Sequence, residues 1–144
     1  MSAEKNSGRH PAERVRVADV MRQATSTVEG TAHLAAAAYL MKHRGDTALV
    51  VTTDNADRRP IAIVTDADIT QAIADGRAME CTRIIDLTLA PPLTVESGTS
   101  AREAAELMLS RRIHHLPVVE GGRLVGLVEL SDVSRPLFGT PLVP

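Results

Sequence analysis

The stretch IAIVTDADI, Ile61–Ile69, returns near the other end of the chain as VGLVELSDV, Val125–Val133. Each runs from a β-branched apolar segment into an acidic one, as a buried strand does when it feeds a helix. Working outward, the two copies extend far beyond these nine positions. Thr27-Val28-Glu29 stands over Thr94-Val95-Glu96, Ala37-Ala38 over Ala104-Ala105, and Leu40-Met41 over Leu107-Met108. Without a gap, Asp19 also falls over Asp86, Arg44 over Arg111, Leu49 over Leu116 and Val51 over Val118. The first copy then carries the longer loop TTDNADRRP where the second has only EGGR. Such self-similarity marks an internal duplication.

Each copy reads as strand, helix, strand, strand, helix. Leu34, Ala37, Ala38 and Met41 form a helical stripe, repeated by Ala101, Ala104, Ala105 and Met108. Ser100 precedes Glu103 by three positions, a helix-start pattern. The runs Leu49–Val51 and Leu116–Val119 are short and β-branched, and Gly121-Gly122 makes a tight turn between two strands. A unit of about sixty residues with three short strands buries little surface alone. The expected fold is therefore α/β (α+β): two tandem β-α-β-β-α repeats packed by pseudo-twofold symmetry into one module. The expected boundaries are a disordered tail over 1–14, repeat 1 over 15–77 and a connection over 78–85. Repeat 2 follows over 86–137, and a Pro-broken tail over 138–144.

The totals exclude several classes. The 144 residues are 44% hydrophobic and 24% charged, as in an ordinary globular protein. Aromatics make up 1%, with no Trp, which removes the stacking platforms of single-strand nucleic-acid binders. A net charge of −2 argues against a general polyanion surface, so no nucleic-acid partner is expected. The single cysteine, Cys81, reads as a buried or half-buried thiol without disulfide or metal role. MSAEKNSGRHPAER lacks the apolar core of a secretory signal, and no stretch approaches the 18 or so apolar residues of a membrane span. A cytoplasmic protein without membrane contact is expected.

The tandem arrangement, the DVM before the first repeat, RRIHHLPVVEGGRLVGLV and AIVTDADI together resemble the cystathionine-β-synthase (CBS) domain pair, or Bateman module, in its stand-alone form. The resemblance runs from about Val15 to Leu137. It implies a regulatory module that binds AMP, ADP, ATP or S-adenosylmethionine in the cleft between repeats, requires no cofactor, and forms a homodimer. Members carry Gly-hydrophobic-hydrophobic-Ser/Thr-x-x-Asp at the third strand's end, with the Asp on the ribose hydroxyls and the Ser/Thr near the phosphate. This maps onto Ala62, Thr65 and Asp68 in repeat 1, and onto Gly126, Glu129 and Asp132 in repeat 2. The resemblance further implies that basic groups before the LPV strand reach the phosphate: Arg111, Arg112, His114 and His115, with His114 and Arg111 foremost. The base pocket would draw on Thr25 and Ser26, Leu49, Val50 and Val64.

Thr65-x-x-Asp68 is equally a capping box, and the two readings are compatible. A helix N-terminus suits a phosphate, and an acid three residues in accepts vicinal hydroxyls when it points away from the backbone. In repeat 2, Glu129 replaces the hydroxyl residue. Its charge opposes a phosphate by about 1 to 4 kcal/mol at 4 Å, so the second site is expected to be empty or to take a less charged ligand. RRIHH also reads as a solvated basic helix end, and adjacent histidines on a strand face opposite sides, so no metal site is expected. Two functions remain open at this point: a nucleotide-sensing module read by an unknown protein partner, and a dimerisation scaffold with degenerate, empty clefts. Catalysis is not expected, for the chain shows neither a nucleophile beside a base nor a phosphate-binding loop.

Overall fold

The computed structural model describes residues 14–23, 27–89 and 91–138. The expected terminal tails fall mostly outside them, and Thr25 and Ser26 do so entirely. The chain divides into two compact units, each carrying one repeat.

The first repeat forms a three-stranded sheet in the order β1-β2-β3, from β1 (Thr27–Glu29), β2 (Ala48–Thr52) and β3 (Pro60–Thr65). β1 runs parallel to β2, which pairs antiparallel with β3. All five residues of β2 are buried, which explains the unbroken ALVVT run of a central strand. Helices α2 (Leu34–Arg44) and α3 (Asp66–Ala74) complete the unit. Their buried faces join the strands in a core that includes Leu34, Ala37, Met41, Leu49, Val64, Ile69 and Ala72. Ala38 of the expected stripe is only partly buried at its edge.

The second repeat has the same plan. β4 (Val95–Glu96), β5 (His115–Glu120) and β6 (Arg123–Glu129) form a sheet in that order, with α4 (Ala101–Arg111) and α5 (Leu130–Ser134). All four residues of its stripe, Ala101, Ala104, Ala105 and Met108, are buried. Gly121 and Gly122 both adopt positive φ, 59° and 82°, as a two-residue hairpin turn requires. Pro117 lies in the central strand and has no N–H to give, so β4 pairs only from Val118 onward. β1, facing Val50 at the corresponding place, is one residue longer.

Neither repeat is closed by its own leading segment. The segment that precedes repeat 1 in sequence, with the short helix α1 (Val17–Val20), belongs to the unit of repeat 2. Val17 N donates to Thr99 O at 2.7 Å, Ala18 N to Ser97 O at 3.0 Å, and Ala101 N to Val15 O at 2.8 Å. The segment before repeat 2 packs on repeat 1 through the equivalent bonds. Ile84 N donates to Ala32 O at 2.9 Å, Ile85 N to Gly30 O at 3.0 Å, and Leu34 N to Thr82 O at 2.9 Å. Asp19 and Asp86, aligned in sequence, each accept a backbone N–H three residues back, from Arg16 and Arg83. Residues 78–85 are thus part of a folded element, with Ile84 only 1% exposed.

Volumes are exchanged across these contacts. Gly30 has no room for a Cβ, which would lie 2.5 Å from Cγ2 of Ile85. The corresponding pair in the other unit is Ser97 with Ala18, so a larger residue faces a smaller one. One expectation from sequence is corrected here: Cys81 is exposed, in a turn where Cys81 N and Thr82 N both donate to Ala78 O. Arg135–Phe138 forms a 3-10 turn continuing from α5. Pro136 is compatible with that tight turn because it comes near its start, where a missing N–H costs no bond.

The helices α2 and α4 both end in the left-handed region, at Gly45 (φ 70°) and Arg112 (φ 56°). Only glycine adopts that conformation without steric cost. Replacing Arg112 with glycine is therefore expected to raise unfolding stability by about 0.5 to 1 kcal/mol, net of the extra freedom of the unfolded chain. A urea melt checks this; an unchanged or lower midpoint would show that the Arg112 side chain compensates its backbone.

Candidate functional site: the strand ends of the two repeats

In repeat 1 the chain leaves β3 at Thr65 and turns at once into α3. Asp66 N donates to Thr47 O at 3.0 Å, fastening this corner to the start of β2. Repeat 2 repeats the bond, with Leu130 N donating to His114 O at 3.0 Å. Thr65 and Asp68 form a reciprocal capping box. Asp68 N donates to Thr65 Oγ1 at 3.2 Å, while Oδ2 of Asp68 accepts from Thr65 N at 2.8 Å and from Thr65 Oγ1 at 3.0 Å. One carboxylate oxygen is thus spent on the backbone. Its partner Oδ1 accepts no hydrogen bond among the described residues, and the group is half-buried. The cap therefore fixes the carboxylate and leaves one oxygen to accept from outside.

Beneath this corner Leu49 pairs with Val64 and Val50 with Ile63, and Leu49, Val50 and Val64 are fully buried. Of the residues expected to face a base, Thr25 lies outside the described residues. Arg111 closes α4 and is exposed, as are Arg112 and His114; His115 opens β5 and is half-buried. Among the described residues no group of three or more His, Cys, Asp or Glu gathers to hold a metal. None of the helices there is long and apolar enough to cross a membrane.

The second repeat's corner is built alike but filled differently. Oδ2 of Asp132 accepts from Glu129 N at 2.9 Å, so Asp132 caps α5 as Asp68 caps α3. Where Thr65 has a hydroxyl, Glu129 brings a carboxylate. It lies 3.5 Å from Nη2 of Arg22 and 3.9 Å from Nε2 of His115. Nε of Arg22 also stands 3.6 Å from Oδ2 of Asp132, whose side chain is 10% exposed. One guanidinium therefore lies against both acids.

Arg22 was not among the residues singled out in sequence. It arrives because its backbone pairs with β6: Arg22 N donates to Leu127 O at 2.9 Å and Leu127 N to Arg22 O at 3.2 Å. The repeat alignment places Leu89 in the equivalent position on repeat 1. Leu89 makes no such pair; its N–H folds back to Leu87 O at 3.1 Å. Pro91 and Pro92 follow almost at once, and prolines cannot donate to a ladder. The segment before repeat 2 thus carries Leu89, not an arginine, in this place.

Comparisons with known proteins agree with this duplicated plan. The model of the CBS domain matches residues 17–75 and again 84–139. An uncharacterised protein of Methanopyrus kandleri, MK0525, is 29% identical over 123 residues, 84% of this chain and 62% of that protein. The chain spans less than two thirds of the first curated relatives it matches. Three of these bear enzyme names, and the matched stretch is 11%, 20% and 23% of their length. Among solved structures, the CBS domain protein PAE2072 from Pyrobaculum aerophilum, complexed with AMP, superposes with a TM-score of 0.75. It is 27% identical, covering 82% of this chain and 89% of that one. CBSX2 in complex with AMP gives a TM-score of 0.70 at 26% identity, covering 86% and 96%. This chain is a tandem pair of CBS repeats and belongs to the CBS-domain family.

Proposed function

We propose that the chain is a regulatory module, without catalysis, that senses an adenosine nucleotide through the strand end of its first repeat. The observation that carries this reading is Asp68: a carboxylate held by its own helix cap, with Oδ1 accepting no hydrogen bond among the described residues. Two vicinal ribose hydroxyls are donors suited to it. The AMP complexes of the two similar proteins support the same ligand class. Asp66 and Asp68 both sit in the first turn of α3, so a phosphate must meet cations from elsewhere. The exposed Arg111 and His114 are the proposed donors, with His115 in a lesser part because it already lies beside Glu129. Thr25 is proposed to meet the base, with the fully buried Leu49, Val50 and Val64 proposed as the layer beneath that shapes its pocket. AMP, ADP, ATP and S-adenosylmethionine share the ribose and purine, so the phosphates decide among them. A homodimer read by a protein partner, in the cytoplasm, completes the proposal.

Thermal denaturation with each of the four ligands tests it. A ligand bound only by the folded state stabilises by about 2.7 kcal/mol at a hundredfold excess over its Kd. That is a rise in Tm on the order of 5 to 10 °C for a chain of this size. No shift with any of them would favour the scaffold reading, in which these corners are only helix caps.

A further inference from the structure

We infer that Arg22 closes the second repeat's corner from within, so that the chain holds one nucleotide and not two. The inference rests on the ribose-acceptor role proposed for Asp68 and extends it to the duplicated position. Asp132 holds the place of Asp68 at the same strand end, with the same bond from the N-cap N–H and an equivalent corner bond to the residue before the central strand. What differs is the occupant. The Arg22 guanidinium stands 3.5 Å from Glu129 and 3.6 Å from Oδ2 of Asp132, the oxygen that already caps α5, and sets a positive charge rich in donors beside both acids of this corner.

Three features make it a fixture of the corner. Its backbone is tied to Leu127 by two hydrogen bonds, so the side chain leaves from a fixed point. Its side chain, 56% exposed, meets two carboxylates at once, a network where an isolated exposed pair would contribute little. And Glu129, which would repel a phosphate if left alone, is neutralised by it. Glu129 and Arg22 are therefore a matched pair: the departure from the Ser/Thr pattern and the arginine are two halves of one substitution. Repeat 1 has Thr65 and Leu89 at the corresponding positions, a hydroxyl and an apolar side chain.

The test is AMP stoichiometry by calorimetry on the native chain and on the double variant Arg22→Leu/Glu129→Thr, which recreates in repeat 2 the pair found in repeat 1. The expected result is one AMP per chain for the native protein and two for the variant. Two per native chain, or an unchanged count of one in the folded variant, would overturn the inference. If the native chain binds none and the variant binds one, closure by Arg22 stands and the assignment to Asp68 falls. If neither binds, both fall. Should the variant not fold, the Nε–H resonance of Arg22 in the native protein decides. It is expected to keep its chemical shift at saturating AMP; a shift that follows the titration would make Arg22 a ligand contact and overturn closure.

Discussion

Replacing Asp68 with asparagine is expected to weaken AMP binding by about tenfold to a hundredfold with little change in stability. The carboxamide retains one oxygen, which can still accept the Thr65 N–H and keep α3 capped. It loses the charge and the second acceptor. Hydrogen bonds to a charged group contribute about 1.5 to 3 kcal/mol, and each 1.4 kcal/mol is a factor of ten in Kd. Alanine at the same position should abolish binding more completely, but it also removes half of the capping box, at a cost of about 1 kcal/mol. Comparing the two variants by calorimetry and by urea melts separates ligand contact from helix capping. Equal affinity in the native and asparagine proteins would leave Asp68 a cap and nothing more.

The largest expected stability effect away from the ligand is at Gly126. A Cβ built there would lie 2.5 Å from Sδ of Met21, 3.0 Å from its Cγ and 3.1 Å from the carbonyl oxygen of Arg22. Gly126→Ala must displace the exchanged leading segment from β6, at a cost typical of overpacking, about 1 to 3 kcal/mol. Part is offset by the reduced freedom of the unfolded chain, about 0.4 to 1 kcal/mol. The net expectation is a destabilisation of about 1 to 2 kcal/mol, partly suppressed by adding Met21→Ala, which removes the sulfur but not the Arg22 carbonyl. A native-like urea midpoint for Gly126→Ala would show that Met21 has room to move. Repeat 1 has Ala62 on the strand and Thr88 in the place corresponding to Met21.

The secondary structure was legible because the duplication displayed every element twice. A strand such as ALVVT is ambiguous alone but not when LPVV stands at the same distance from an identical TVE. The capping role of Thr65 and Asp68 was legible for a local reason, since both partners lie within one helical turn. The exchange of leading segments was not. Asp19 and Asp86 align in sequence, yet nothing in their spacing says that each will cap a segment lying on the other repeat. For the same reason Arg22 escaped notice. It is remote in sequence from Glu129 and Asp132, and only its backbone pairing with Leu127 brings it there. One signal was available in the sequence: an acid in place of a hydroxyl at a capping position calls for a cation. Cys81, expected to be buried or half-buried, is exposed; composition alone had assigned it, with no periodic pattern around it to say which side it faced.

The most direct measurement is isothermal titration calorimetry of the intact chain with AMP, beside Asp68→Asn under the same salt. The account predicts a single saturable transition at one AMP per chain, with the Kd raised at least tenfold in the variant. A native protein that gives no heat and no thermal shift at millimolar AMP, or one that binds AMP as tightly as Asp68→Asn does, would contradict it.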